Sequence, residues 1–262
     1  MNTPKLLSTQ TLLSAEAKEE FSRRELGPLF QADWVRTVFI HFAVEPQKLQ
    51  PWVPFPLDLY GGWAYVSLVA FTLERMRVGP LPETLTKPFV RGLSPCRFLN
   101  VRTYVKGEHG LGIYFLAEWL SNRFAVPLGP PLFGLPYRLG QLSYRRNPAA
   151  GTVSGSVASE SGHTLLYSGT VPEALPWDTA AAGSEEEFLL ERYIAYTERQ
   201  GLRRYFRVRH EPWRYQPLDL ELQCATLLQE TGTWCRHAQL AGAHYSPGVL
   251  GVGMGMPHRL AK

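Results

Sequence analysis

The stretch RFLNVRTYVKGEHGLGIYFLAEWL (97–120) decides the fold, because its pattern predicts a β-hairpin. Alternation along its first half places Phe98, Asn100, Arg102 and Tyr104 on one face of a strand and mostly apolar residues on the other. The segment KGEHG predicts the turn, and LGIYFLAEWL predicts the returning strand. We therefore expect antiparallel sheet in this part of the chain.

The polar face formed by Asn100, Arg102 and Tyr104 has two interpretations. It either meets water or lines a polar interior, and for a single strand the pattern alone favours water. An interior guanidinium needs a carboxylate from the protein or from a ligand, because an unpaired buried charge is very unfavourable. Glu118 on the partner strand is a candidate partner, and that pairing gives Arg102 a structural role.

Segments on both sides of the hairpin also have strand patterns. WVRTVFIHFAV (34–44) is apolar with partial alternation. GGWAYVSLVAF (61–71) is apolar on both faces, which is typical of a strand at the centre of a sandwich or barrel. Further strands are expected at 138–146, 151–159, 163–171, 203–213 and 243–254.

Three segments predict helices. The segment 180–201 is the clearest, with a capping box from Ser184 to Glu187 and a stop at Gly201. The segment 218–232 predicts a second helix, and 14–26 predicts either a charged surface helix or a polar tail. We expect residues 1–30 to form a polar extension and residues 31–262 to form one domain.

Composition limits the classes of function. The chain has 262 residues with 27 basic and 23 acidic side chains, and its net charge of +4 is too small to imply nucleic acid. Three cysteines without a close pair do not indicate a disulfide framework. No signal segment is present, and no apolar run reaches the roughly 20 residues that span a bilayer. We expect a cytoplasmic protein with no membrane or nucleic-acid partner, and we leave a homo-oligomer open.

The remaining motifs have ordinary structural explanations. GLPYR (134–138) predicts a tight turn with a packed Tyr137. His210 and His244 can each be a ligand, a base or a core group. No zinc spacing, phosphate-binding loop or nucleophile elbow is present, so we expect no metal and no cofactor. The arginines of RRYFRVR (203–209) fit a solvated strand face better than a nucleic-acid surface.

Several motifs in the same order resemble the YqjF-like family, known as domain of unknown function 2071. The resemblance runs from about Trp34 to about Val252. That family is similar to acetoacetate decarboxylase, which implies an α+β, mainly antiparallel β fold, with a closed cone-like barrel, flanking helices and a ligand cavity. The motifs are FLNVRTYV, GLGIYFLAEW, AVPLGPPLFGLPYRLGQL, EEEFLLERYIAYT, HEPWRYQPLDLEL and HYSPGV.

The resemblance also implies that the lysine amine used by the decarboxylases is missing from its usual position in this chain. Decarboxylases of this superfamily carry a pattern like A-x-x-x-G-R-E-x-x-G-x-P-K-K, in which the first lysine forms a Schiff base. Alanine, both glycines and proline are matched, but the two lysines fall on Tyr137 and Arg138. Neither a phenol nor a guanidinium forms an iminium with a ketone. The acidic residue usual two positions before Asn100 is also replaced, by Phe98.

Three functions remain open at this stage. The first is binding of a small, carboxylate-type metabolite without Schiff-base chemistry. The second is a dehydratase, isomerase or lyase that uses Tyr137 and Arg102. The third is a structural or interaction protein with a filled barrel. The expected ligand contacts are Asn100, Arg102, Tyr104, Glu118, Tyr137, His210, Trp213, His244 and Tyr245, and Tyr137 is the one candidate catalytic group.

Overall fold

The computed structural model describes residues 27–79, 90, 92–172 and 175–261. This part of the chain is mainly β and its strands join in one mixed sheet. The strands are β1 (Phe30–Val44), β2 (Ala64–Val78), β3 (Cys96–Gly107), β4 (Gly110–Leu120), β5 (Tyr137–Asn147), β6 (Thr152–Ser159), β7 (Thr164–Thr170), β8 (Asp178–Thr179), β9 (Ile194–Arg199), β10 (Leu202–Arg209), β11 (Arg214–Pro217), β12 (Asp219–Ala225), β13 (Gln239–Met254) and β14 (His258–Arg259). The helices are short: α1 (Pro46–Leu49), α2 (Gly129–Phe133), α3 (Glu185–Leu190), and 3-10 helices at Gln50–Trp52, Pro148–Ala150, Thr226–Thr231 and Thr233–His237.

Seven strands close a ring of pairings in the order β1, β2, β3, β4, β9, β10 and β13. Most of these pairings are antiparallel, but β4 lies parallel to β9 and, outside the ring, to β5. The contacts of β9 with β4 and of β10 with β13 each involve only two residue pairs. The result is a ring within a mixed sheet, less regular than the closed barrel that we expected.

Two hydrophobic cores lie on the two faces of the ring strands. The inner core takes side chains from all seven strands of the ring, among them Phe39, Phe98 and Phe206. The outer core takes the alternate residues, such as Ile40 and Leu99, and packs them against β5, β6, β7 and β12. This explains why β2 is apolar on both faces, since each face is covered.

The predicted hairpin is confirmed, with β3 and β4 joined at a turn between Gly107 and Gly110. A β-bulge follows Val101, so Asn100 lies opposite Glu118 whereas Arg102 lies opposite Phe115. The strand predictions for 34–44, 61–71, 138–146, 151–159, 163–171, 203–213 and 243–254 are also confirmed in place, with bounds shifted by a few residues.

Two helix predictions are wrong over most of their length. In 180–201 the Ser184 hydroxyl caps α3 as predicted, but the helix ends at Leu190, and β9 follows because it pairs with β4 and β10. The segment 218–232 forms β12 and a 3-10 helix. Its residues alternate between exposed and half-buried and pair with β7, so sheet contacts override helix propensity.

The helix predicted at 14–26 lies outside the described residues. Within the described ranges, no helix has the length and apolar character needed to cross a membrane.

Candidate functional site

The polar face of β3 lies inside the ring. Asn100, Arg102 and Tyr104 are 4%, 5% and 0% exposed, so the interpretation as a face in water is wrong. The same face carries Phe98, which belongs to the inner core. The alternation of β3 therefore delivers three polar groups into an interior that is otherwise largely aromatic and aliphatic.

A row of polar residues crosses three neighbouring strands at this point. Asn100 on β3 lies opposite Glu118 on β4, which lies opposite Tyr137 on β5. Glu118 is 3% exposed, and its burial raises the pKa of its carboxyl well above the ordinary value. Glu118 is thus a neutral acid that can donate a hydrogen bond.

Three buried polar atoms of this interior have no hydrogen-bond partner in the part of the chain that the structure describes: Oδ1 of Asn100, Nε of Arg102 and Oε2 of Glu118. We call these residues the open trio. Native interiors rarely leave such groups unpaired, and a binding site is one of the few reasons for several to occur together. The open trio is therefore the feature from which a ligand site can be built.

Arg102 is held by one of its terminal nitrogens. Its Nη2 donates to the carbonyl oxygen of Leu189 at 3.0 Å, and its guanidinium carbon lies 5.9 Å from the ring centre of Phe39. The expected ion pair with Glu118 is absent from the described residues, because Glu118 lies opposite Asn100 and Arg102 lies opposite Phe115. Within the described residues no carboxylate directly contacts the guanidinium of Arg102.

A second set of polar groups in the interior is hydrogen-bonded throughout, and we call it the closed network. His244 contacts His41 at 3.1 Å, His41 contacts Ser67 at 2.7 Å, and Ser67 contacts Tyr104 at 2.5 Å. Tyr104 then donates to the carbonyl oxygen of Leu189 at 2.7 Å. This is the same carbonyl that receives Arg102, so the closed network helps to fix the position of that guanidinium.

The donor and the acceptor of every hydrogen bond in the closed network can be assigned by starting from the carbonyl oxygen of Leu189. A carbonyl only accepts, so Tyr104 donates to it and must accept from Ser67. Ser67 then accepts from Nδ1 of His41, which leaves Nε2 of His41 to accept from Nδ1 of His244. Burial lowers the pKa of His41 well below its ordinary value, as this neutral tautomer requires.

Glu191 lies in the same interior and uses both of its oxygens. Its Oε1 accepts from the backbone of Trp213 at 2.8 Å and its Oε2 from the hydroxyl of Tyr193 at 2.6 Å. Burial raises the pKa of Glu191 to about 7, although these bonds and the charge of Arg102 act to lower it. The carboxyl therefore changes charge near neutral pH.

His210 packs beside this carboxyl. Its ring stacks on Tyr193 with centres 4.7 Å apart and lies 5.5 Å from the ring of Trp213. Its Nδ1 donates to the backbone oxygen of Glu211 at 2.8 Å. Burial lowers the pKa of His210 to about 4, helped by the charge of Arg102, so the imidazole is neutral at pH 7.

Tyr137 lies in the same row as Asn100 and Glu118, and among the described residues the charges that act on its hydroxyl are those of Glu118 and Cys96. Its ring meets Phe98 edge-on at 6.0 Å and packs against Gly129, where a Cβ atom has no room. Burial raises the pKa of the phenol well above its ordinary value, and the neighbouring Glu118 adds to this. The structure thus brings Tyr137 to a neutral acid and not to the guanidinium.

Tyr245 lies on the other side of the sheet from His244, its neighbour in β13. His244 joins the closed network, whereas Tyr245 packs in the outer core. The expectation that both line one interior is wrong, since successive residues of a strand point to opposite faces.

Three interior groups were not among the predicted site residues: His41, Ser67 and Glu191. His41 and Ser67 alternate with apolar residues in strands that the sequence predicted, and this polar interruption was an available signal. Glu191 stood in the helix predicted for 180–201, in which no pattern marked it as buried.

The lysines of the described residues lie away from the ring interior. They are Lys48 and Lys106, and both side chains are exposed. Nζ of Lys106 lies 3.7 Å from a carboxylate oxygen of Asp58. The same residues contain no group of three or more His, Cys, Asp or Glu side chains arranged for a metal ion.

The ring and its short helices define an acetoacetate decarboxylase-like fold. An acetoacetate decarboxylase-like enzyme from Sphingomonas wittichii RW1 matches with a TM-score of 0.60 and 17% identity, over 89% of this chain and 93% of that chain. Acetoacetate decarboxylase from Legionella pneumophila matches with a TM-score of 0.58 and 13% identity, over 97% and 98%. The enduracididine biosynthesis enzyme MppR, complexed with pyruvate, matches with a TM-score of 0.57 and 14% identity, over 92% and 93%.

The sequence comparison defines the family within that fold. The profile of DUF2071, described as an uncharacterized conserved protein, matches residues 31–250, and the chain belongs to this family. Protein YqjF of Bacillus subtilis (strain 168) is 28% identical over 206 residues, which are 78% of this chain and 82% of that protein. The resemblance read from the sequence motifs is confirmed.

Proposed function

We propose that the interior of the ring binds a small anionic metabolite and that Arg102 is the anion contact. The observation that carries the proposal is the open trio, whose three buried polar atoms have no partner among the described residues. Arg102 supplies an unused Nε–H donor, and no carboxylate of that part of the chain contacts its charge. A ligand carboxylate in this position supplies the missing partner.

The other members of the open trio restrict the ligand further. Oδ1 of Asn100 needs a donor, and the neutral carboxyl of Glu118 offers a donor and an acceptor. A short hydroxy- or oxo-carboxylate meets these requirements, with its carboxylate on Arg102 and its second oxygen near Asn100 and Glu118. Tyr104 does not contact the ligand in this proposal, because its hydroxyl is already hydrogen-bonded to Ser67 and to the carbonyl oxygen of Leu189.

Binding without Schiff-base chemistry is the version of this function that we propose. The lysine of the decarboxylase pattern is replaced by Tyr137, and Lys48 and Lys106 are exposed. MppR, which shares the fold, is complexed with pyruvate. Pyruvate is therefore a suitable first probe, tested for reversible binding and for borohydride-trapped adduct.

The test is calorimetric titration of the full chain with acetate, lactate and pyruvate. We expect lactate or pyruvate to bind, and Arg102→Gln to weaken that binding by about tenfold or more, through loss of a charge-assisted hydrogen bond. Arg123→Gln is the control, because Arg123 is exposed and its guanidinium lies over Phe124, away from both the ring interior and Arg97.

Three results contradict the proposal: no binding of any of the three carboxylates, equal binding by the Arg102 variant, or a pyruvate adduct trapped by borohydride. The first result favours an interior that serves only as a packed core. The third restores Schiff-base chemistry.

A second candidate is an enzyme that moves a proton at the same interior. The specific observation is the neutral acid Glu118 in register with Tyr137. In its minor ionised form Glu118 can take a proton from a carbon next to a carbonyl while Tyr137 donates one to the carbonyl oxygen, and the reverse transfers return both protons. Exchange of pyruvate methyl hydrogens in deuterated water, followed by NMR, detects this activity, and Glu118→Gln and Tyr137→Phe must each abolish it.

A further inference from the structure

A second concave site lies outside the ring, between its outer face and the layer formed by β5, β6 and β7. It encloses about 410 Å³, within the range of small-molecule sites. We call it the basic groove, and its principal lining residues are Arg36, Arg97, Tyr144, Arg146, Tyr167 and Tyr245. Because Arg97 and Arg102 lie on opposite faces of β3, the groove is separate from the ring interior.

The basic groove carries more positive than negative charge. Arg36 forms an ion pair with Glu74, which also lines the groove. Arg97 and Arg146 are exposed, and neither has a carboxylate partner within the described residues. Two guanidinium groups are therefore available to an anion.

The wall between these arginines contains a hydroxyl whose own proton is unused within the described residues. Tyr245 is 1% exposed, Arg146 lies close enough to donate to its hydroxyl, and the hydroxyl proton finds no acceptor among the described residues. The guanidinium of Arg146 lies over its ring, 4.9 Å from the centre. Tyr144 beside it is fixed by a hydrogen bond of 2.8 Å from its hydroxyl to the carbonyl oxygen of Phe98.

The backbone at one edge of the groove is unusual. Arg36 has a φ of 55°, in the left-handed region that non-glycine residues rarely occupy, at a bulge between Val35 and Val38. Backbone in this region is unfavourable for a residue with a side chain and occurs often at ligand sites. The bulge directs Arg36 to the same groove as Arg97 and Arg146.

We propose that the basic groove binds an organic phosphate. Arg97 and Arg146 hold the phosphoryl oxygens, the hydroxyl of Tyr245 donates to them, and the organic part lies against the tyrosine rings. Several guanidiniums with a hydroxyl donor suit the tetrahedral, multiply charged phosphoryl group better than a single carboxylate. The groove is also larger than inorganic phosphate needs, which favours a ligand with an organic part.

Calorimetric titration with phenyl phosphate tests the proposal on the full chain at about 100 mM salt, where charges far from the groove are screened. We expect Arg97→Gln and Arg146→Gln each to weaken binding by about tenfold. Arg123→Gln is the matched control, since Arg123 is equally exposed and contacts Phe124 outside the groove. Tyr245→Phe, which keeps the packed ring, should weaken binding by a few fold.

Three further comparisons decide whether the basic groove is a separate phosphate site. Phenyl phosphate binding that survives Arg102→Gln supports a site separate from the ring interior, and loss of binding in that variant overturns it. Equal affinity in the wild type and in both groove variants also overturns the proposal. A single-stranded oligonucleotide that binds more tightly than phenyl phosphate, with steep salt dependence, assigns the surface to nucleic acid instead.

Discussion

The closed network and the open trio lie side by side in the ring interior, yet they treat buried polar groups in opposite ways. In the closed network, bonds of 2.5–3.1 Å connect His244, His41, Ser67 and Tyr104, and a backbone carbonyl ends the series. In the open trio, each residue keeps an atom that has no partner within the described ranges. The first arrangement stabilises one orientation of each side chain, whereas the second leaves capacity for another molecule.

This difference assigns the two sets different roles: the closed network holds side chains in place, and the open trio is available to bind a ligand. The closed network ends on the carbonyl of Leu189, which also accepts from Arg102, so it orients one member of the open trio. Removing an unsatisfied group should raise stability, whereas removing a satisfied one should lower it. The following predictions use that contrast.

The largest expected effect comes from Glu118→Gln, which we predict to stabilise the protein at pH 7. Burial raises the folded-state pKa of Glu118 well above 4.5, so unfolding releases a proton at neutral pH and is favoured by it. The stabilisation should disappear as the pH falls below about 4.5, where both states hold the proton. Urea denaturation at pH 4 and pH 7 measures it.

Glu230→Gln is the control for that substitution, with the opposite sign. Although partial burial acts to raise the pKa of Glu230, hydrogen bonds from Ser159, Ser161 and His163 hold it below the ordinary value. Its removal should lower stability at pH 7. If Glu118→Gln also lowers stability at pH 7, the protein itself satisfies Glu118, and the open trio loses a member.

The next effect is the pH dependence of stability caused by two buried groups that are already hydrogen-bonded, Glu191 and His210. The pKa of Glu191 is raised to about 7 and that of His210 is lowered to about 4, both chiefly by burial. The destabilisation from Glu191 grows as the pH rises from about 4.5 to about 7, and that from His210 grows as the pH falls from about 6.5 to about 4. Each contributes up to about 3 kcal/mol, and they oppose each other in the wild type.

Two variants separate these opposing contributions. Glu191→Gln should make stability rise more steeply with pH between 4.5 and 6.5, and His210→Asn should make it fall with pH there. The measurement is the free energy of unfolding at several pH values in urea. Parallel pH profiles for both variants and the wild type contradict the assignment of these two groups.

Local patterns account for what the sequence predicted well. The alternation in 97–105 placed Asn100, Arg102 and Tyr104 on one face, and the turn at 106–110 paired β3 with β4. The family resemblance then indicated that this face is interior. The opposite placement of His244 and Tyr245 also had a local signal in strand alternation.

Other features depend on contacts that no local pattern contains. The bulge after Val101 sets the partner of Glu118, and it arises from pairing between strands. His41 joins Ser67 and His244 from two other strands, so the closed network exists only in the assembled sheet. The strand β9 replaced a predicted helix because β4 and β10 offer it backbone partners.

The smallest effect is expected from Ser67→Ala, which tests the difference between the closed network and the open trio directly. The change leaves two buried groups of the closed network without a partner, because Nδ1 of His41 loses its acceptor and Tyr104 loses a donor. We expect destabilisation by about 2 kcal/mol, measured by urea denaturation, since two buried groups lose a partner. Ser143→Ala, at an exposed position of β5, should change stability by less than about 0.5 kcal/mol.

If Ser67→Ala keeps wild-type stability but binds pyruvate more weakly, the closed network acts mainly by orienting Arg102 through the carbonyl of Leu189. Wild-type values of both quantities contradict any role for Ser67 in connecting the two histidines to the ligand site.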